Sequence, residues 1–217
     1  MLVLADGASG AGREGKVAMS RTCVELARSF DFRTSGLNPH DYISALFNRI
    51  NDALIVLSQR EGVLCFGTIV IALIENGELW TTTFGDSPAY LLKGGEMIRL
   101  AKNAKRYEWM INADHITREQ YDSYLTSMHP MMWSAFDRFL PWIVPNNVIE
   151  HYTLSDSDVF FACSDGLSDW ITPDSMLENI HRLGLHEAVD RMIITARDLA
   201  LTQQNHYDDI TAVGAVI

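Results

Sequence analysis

Acidic residues recur in this chain where apolar runs meet turns. A lone Asp-Gly pair is an ordinary turn signal, but in this chain an aspartate stands at the end of several apolar runs. Strand ends on one side of a stack of sheets can bring such carboxylates together. The acids at these points are Asp6, Asp86, Asp165, Asp169 and Asp208.

A cluster of carboxylates with no lysine or arginine beside it in the sequence predicts a metal site. Neighbouring acids raise one another's pKa and resist joint ionisation. A hard divalent cation removes that conflict, and carboxylate, carbonyl and water oxygens suit Mg²⁺ or Mn²⁺. Gly7 follows Asp6 directly, and a glycine beside the acid lets a backbone carbonyl approach the ion as well.

The other reactive residue types in the chain favour packing over catalysis. Cys163 precedes the acidic turn but lies in an apolar strand without a basic neighbour, and an activated thiolate needs a positive environment. We therefore interpret Cys163 as a core residue. His115, His129 and His151 are isolated, and we interpret them as packing or surface residues.

Composition and charge exclude several classes of function. The chain has 28 acidic and 17 basic residues and a net charge of -11, which disfavours nucleic-acid binding because that needs a basic surface. No apolar run approaches the roughly 20 residues of a membrane span. The three cysteines are widely spaced and form no CxxC pair, which argues against a disulfide scaffold or a thiolate zinc site. We predict a cytoplasmic location.

Periodicity predicts the elements that position the acids in the first half of the chain. Residues 2–5 form a buried strand, and two helices with apolar stripes follow over 12–30 and 38–61. Residues 65–100 alternate β-rich runs with Asn-Gly and Gly-Gly turns, which predicts three or four antiparallel strands in a row.

The second half begins with a segment that has no clear period. Residues 101–148 are rich in Met, Trp and His, and we predict short helices and a mobile segment there. A strand pair with a turn at 155–158, two helices and a final strand follow. Helices grouped apart from antiparallel strands indicate an α+β fold of two packed sheets covered by helices. We predict a single domain over residues 1–217.

Four segments taken together resemble a known family. "VLADGASG", "GTIVIALIENGELWTTTFGDSPAYLLKGGEMIRL", "FFACSDGLSDWIT" and "DDITAVGAVI" are similar, in order, to the motifs of the bacterial metal-dependent type 2C (PPM) Ser/Thr protein phosphatases. The resemblance covers most of the chain and implies a four-layer α/β/β/α sandwich. Residues 101–148 fall where that family has a variable flap.

The resemblance also implies roles for the acids. Asp6 would bridge two Mn²⁺ or Mg²⁺ ions and Gly7 would offer its carbonyl, while Asp165 and Asp208 would hold one of those ions. Asp86 and Asp169, with Asp165, match the positions of a weaker third ion. Two ions so placed activate a bridging water to attack phosphorus, so no protein nucleophile is needed to hydrolyse phosphoserine or phosphothreonine.

The sequence departs from the family pattern in ways that keep an alternative open. The usual N-terminal strand motif, with an Arg that binds the substrate phosphate and an acid that adds to the metal shell, has no counterpart before Met1. Arg13, Lys16 or Arg21 could replace that arginine. Ala8 and Pro88 also differ from the usual residues. The alternative is a weak or inactive module that binds metal or a phosphorylated partner in a regulatory role; a two-metal nuclease is a more distant reading, disfavoured by the acidic charge.

The expected partners follow from the phosphatase reading. The substrate would be a phosphorylated protein, either a Ser/Thr kinase or its target, and neither nucleic acid nor membrane is expected. Without the usual N-terminal strand, the neighbouring strand would have an open edge. Because open edges recruit other chains, we predict a tendency to form a homodimer. The lack of the usual phosphate-binding arginine predicts slow hydrolysis of phosphopeptides.

Overall fold

Two four-stranded antiparallel sheets form the centre of the described structure. The computed structural model describes residues 1–8, 11–63, 65, 67–100, 149–204 and 208–217. The strands are β1 (Leu2–Gly7), β2 (Gly67–Glu75), β3 (Glu78–Phe84), β4 (Ala89–Lys93), β5 (Glu96–Leu100), β6 (Glu150–Thr153), β7 (Val159–Cys163) and β8 (Ala212–Val216). The first sheet has the order β1-β2-β3-β6 and the second has the order β5-β4-β7-β8.

Helices cover the outer face of each sheet. They are α1 (Gly12–Ser29), α2 (Phe32–Ser35), α3 (Pro39–Glu61), α4 (Asp165–Ser168), α5 (Pro173–Leu183) and α6 (Leu185–Gln204). Two helices, α3 and α5, begin at residues whose side chains satisfy free backbone N–H groups. The side chain of Asn38 accepts from Asp41 N before α3, and Thr172 accepts from Ser175 N before α5. A proline follows each cap, where its missing N–H costs nothing.

Three apolar clusters hold the layers together. The first lies between the first sheet and the pair α1 and α3, and the second lies between the second sheet and the pair α5 and α6. The third fills the space between the two sheets and includes Leu4, Val70, Leu91 and Phe160. The α+β class and the α/β/β/α layering that the sequence predicts are therefore confirmed.

Two predicted strand arrangements are wrong in their partners. The strands of residues 67–100 do not form one continuous meander, because β2 and β3 pair in the first sheet whereas β4 and β5 pair in the second. Likewise β6 pairs with β3, and β7 pairs with β4 and β8. Turn residues indicate where a strand ends, but they carry no information about which sheet the next strand joins. The short helices α2 and α4 were not predicted.

The predicted flap over 101–148 lies outside the described residues, as do His115 and His129. Within the described part of the chain, no helix combines the length and apolar character that crossing a lipid bilayer requires.

Candidate metal centre

The packing of the two sheets brings the acidic strand ends to one place. β1 of the first sheet lies against β8 of the second. Leu2 and Leu4 belong to the cluster between the sheets, and since side chains alternate along a strand, Asp6 points toward the same space. β1 is only partly buried, and Asp6 lies near its end on the side that faces the second sheet.

Buried Ser164 joins the two acidic turns of the second sheet. Its backbone N–H donates to the carbonyl oxygen of Thr211 over 2.9 Å. Its hydroxyl donates to the carbonyl oxygen of Asp209 and accepts from the N–H of Thr211, each over 3.0 Å. The segment that carries Asp208 is therefore attached to the start of α4, where Asp165 lies. Sequence analysis missed this residue, although a serine at the end of an apolar strand was a visible signal.

Two glycines permit the close approach of these segments. A Cβ on residue 166 would lie 2.5 Å from the carbonyl oxygen of Asp209, and a Cβ on residue 7 would lie 2.6 Å from the Cα of Lys16. Neither neighbour is a flexible side-chain end, so any larger residue would push the elements apart. Glycine at 166 therefore allows Asp208 to approach Asp165, and glycine at 7 allows α1 to pack on the end of β1.

Three carboxylates share one electrostatic environment at this point. The pKa of Asp6 rises from its usual 3.8 to about 7. Burial is the largest cause, and the negative charges of Asp165 and Asp208 and a side-chain hydrogen bond with Asp165 add to it. Burial and the crowding of like charges therefore both favour the protonated form of Asp6.

A lysine distant from Asp208 in sequence lies beside that acid in the fold. The Nζ of Lys16 is 3.4 Å from Asp208 Oδ1 and 4.0 Å from Asp209 Oδ2, and its charge lowers the pKa of Asp6 in opposition to the causes above. No lysine or arginine is adjacent to these acids in the sequence, but the fold brings Lys16 to them from α1. The sequence indicates Lys16 only as one of three basic residues that could replace a missing arginine.

The donor atoms fit a hard divalent cation in their chemistry. Carboxylates of Asp6, Asp165 and Asp208 and the carbonyl of Gly7 are the oxygen ligands that Mg²⁺ and Mn²⁺ prefer. Burial, followed by the charges of Asp165 and Asp208, raises the pKa of Asp6, and a cation bound there would favour its ionised form. Across the described residues, however, no three acidic, histidine or cysteine side chains are arranged as a bound ion requires. The ligand set therefore stays a prediction that needs side chains to rearrange on binding.

The two acids predicted for a third ion are linked to this centre in different ways, Asp169 through α4 and Asp86 through the residues next to it. Asp169 is exposed and its N–H donates to the carbonyl of Asp165 over 2.9 Å. Asp86 is half-buried in the link between β3 and β4, next to Ser87, whose hydroxyl bonds that of Thr68. Thr68 is the register partner of Asp6. A role of Asp86 and Asp169 in metal binding stays a prediction.

The residues interpreted as packing are packed. Cys163 is fully buried, and burial raises the pKa of its thiol to about 12, so it is unreactive. All three cysteines are free and buried. His151 stacks on Trp80 with ring centres 3.9 Å apart and bonds Glu78 over 2.6 Å, which is a surface packing role.

The Ser164 anchor gives a testable prediction. Ser164→Ala removes a buried hydroxyl that makes two hydrogen bonds to the backbone, so we expect a loss of about 1–3 kcal/mol in the free energy of unfolding. Mn²⁺ affinity should fall as well, because Asp208 is no longer held near Asp165. Urea denaturation and calorimetry measure the two effects. The exposed control Ser155→Ala should change neither, and a Ser164→Ala chain with unaltered stability would contradict the anchor.

Comparisons with known proteins give relatives of one kind. No family model matches the chain. The Ser/Thr protein phosphatase PstP of Mycobacterium tuberculosis is 28% identical over 220 residues, which cover 99% of this chain and 40% of PstP. The chain thus spans about two fifths of the length of this curated relative.

Solved structures share the fold. The crystal structure of M. tuberculosis PstP matches 100% of this chain and 87% of its own with a TM-score of 0.74 and 21% identity. The catalytic domain of PstP in complex with two manganese ions matches 98% and 85% with a TM-score of 0.72 and 21% identity. The chain therefore has the fold of a bacterial Ser/Thr phosphatase along nearly its whole length.

Proposed function

We propose that this chain is a metal-dependent Ser/Thr protein phosphatase of the type 2C family, consistent with its similarity in sequence and fold to PstP. The observation that carries the proposal is the meeting of Asp6, Asp165 and Asp208 at the open end of the sheet sandwich, where the pKa of Asp6 is raised to about 7. An excess of carboxylate charge there does not stabilise the fold, but it provides the oxygen ligands that divalent ions bind.

The residues of the candidate site have separate proposed roles. Asp6, Asp165, Asp208 and the carbonyl of Gly7 would hold two Mn²⁺ or Mg²⁺ ions, with Asp86 and Asp169 as candidates for a third. Bound ions supply water activation and neutralise the charge of the phosphate group. Ser164 keeps the two acidic turns of the second sheet in place. Because the chemistry needs no protein nucleophile, the inertness of Cys163 is consistent with it.

Hydrolysis of a model phosphothreonine peptide tests the proposal. We expect release of phosphate with Mn²⁺ or Mg²⁺ and none with a chelator. Tight Mn²⁺ binding without turnover would instead favour the regulatory alternative, in which the chain binds metal or a phosphorylated partner. Absence of both binding and turnover would refute the proposal.

The wider context of the proposal follows from its chemistry. The substrate is a phosphorylated protein, a Ser/Thr kinase or a target of one, in the cytoplasm, and the 217 residues act as one unit. The excess of acidic residues makes nucleic acid an unfavourable partner.

A homodimer through the sheet edges is a further part of the proposal. Within the described residues β1 lies at one edge of the first sheet and β8 at one edge of the second, and Val216 is 63% exposed. Such an edge can pair with a second copy.

We expect dimers in sedimentation at high concentration and a shift to monomer in Val216→Lys, because charge on an edge strand opposes pairing. The control Ile194→Lys, at an exposed position of α6, should not shift it. Monomers throughout would contradict this prediction.

A further inference from the structure

Lys16 places a positive charge beside the carboxylates of the acidic centre. Its ammonium lies 3.4 Å from Asp208 Oδ1 and 4.0 Å from Asp209 Oδ2. Asp208 also accepts the N–H of Asp209 over 2.8 Å. Asp208 is thus turned toward a lysine and a backbone donor, which accounts for the lack of three side chains arranged around a common point in the described residues.

The position of Lys16 is built into the fold. Its Cα and the first atoms of its side chain pack on Gly7, where a Cβ would leave no room. The side chain is 23% exposed, so its stem is packed, while the ion pair of its ammonium with Asp208 is exposed to solvent. By contrast with Lys16, the next residue on α1, Val17, is 61% exposed.

A divalent ion and this ammonium compete for the same carboxylate. Two positive charges a few ångströms apart repel each other, and the ion carries the larger charge. An ion bound by Asp208 would therefore displace Lys16 from it. The displaced ammonium stays tethered beside the centre through its packing on Gly7, where a phosphate group would be the anion within reach.

We propose that Lys16 is a built-in counter-cation of the centre, which occupies Asp208 in the absence of metal and receives the substrate phosphate once metal has displaced it. The inference rests on the proposed function. Lys16 is then a phosphate-binding residue of this chain. The same positive charge lowers the affinity of the centre for metal.

Lys16→Met tests the inference, because methionine keeps the apolar stem and removes the charge. Calorimetry at about pH 8 keeps Asp6 largely ionised. We expect Mn²⁺ to bind about three- to thirtyfold more tightly, from the loss of one charge a few ångströms from the ion. Inorganic phosphate should bind the protein in excess Mg²⁺ about tenfold or more weakly, from the loss of a charge-assisted contact. Lys16→Arg should restore most of the phosphate affinity.

Arg21→Met is the matched control. It removes one positive charge from the same helix, at a side chain that is 77% exposed and paired with Glu25 over 3.3 Å. Both affinities should stay at the wild-type level.

Opposite changes in the two affinities distinguish this role from a structural one. A fall in both would make Lys16 a support of the fold and would overturn the inference, as would affinities within about twofold of those of Arg21→Met. Normal turnover by the wild type together with such unchanged affinities would refute this inference alone. A wild-type chain that binds no Mn²⁺ would refute the proposed function and the inference with it.

Discussion

Replacing Asp165 with asparagine is expected to lower Mn²⁺ affinity by roughly a hundredfold or more and to reduce hydrolysis of phosphopeptides to background. An amide oxygen carries no net charge, and even residues that only support a ligand cost ten- to hundredfold in metal affinity when they are lost. The fold should survive, because the asparagine oxygen can still accept the N–H of Gly166, which Asp165 Oδ1 accepts over 2.8 Å.

Calorimetry and a phosphate-release assay measure these losses, and Asp156→Asn is the matched control. Asp156 is exposed in the turn before β7, at the far end of that strand from Asp165. Asp156→Asn removes the same charge at a distance from the centre. It should bind Mn²⁺ and hydrolyse phosphopeptides as the wild type does. An Asp165→Asn chain with wild-type Mn²⁺ affinity would refute the metal site proposed for these carboxylates.

The second large effect concerns the stability of the metal-free protein as a function of pH. The pKa of Asp6 is about 7 in the folded chain and near its usual 3.8 when unfolded. Between these values the folded state keeps a proton that the unfolded state has lost, so stability falls as pH rises from about 4 to about 7. One pKa unit corresponds to about 1.4 kcal/mol, and the expected loss is on the order of 2–4 kcal/mol.

Asp6→Asn isolates this contribution, because asparagine resembles the protonated acid at every pH. Urea denaturation in chelator should give similar stabilities for the two proteins at about pH 4–5, whereas the variant should be more stable by on the order of 2–4 kcal/mol at about pH 8. Added Mn²⁺ should then stabilise the wild type and have little effect on Asp6→Asn. A wild type as stable as the variant at the higher pH would contradict the raised pKa of Asp6.

Much of the site was predictable because its signals are local. Asp6, Asp165 and Asp208 each stand where an apolar run meets turn residues, and both the run and the turn can be read within a few residues. The helix α3 was equally accessible, since its apolar stripe has the helical period and Asn38, Pro39 and Gly62 mark its ends. The four-layer fold followed from the grouping of helices and antiparallel strands.

Local sequence patterns predict which residues could bind a metal, whereas the packing of the whole chain selects the groups that lie beside them. Lys16 and Asp208 are 192 positions apart, and Ser164 and Thr211 are 47 apart. No periodicity connects such pairs, because they meet only when β1 packs against β8 and β7 pairs with β8. The assignment of β6 and β7 to different sheets has the same cause. Turns set where strands end, but the burial of each strand's two faces selects its partners, and that depends on the whole chain.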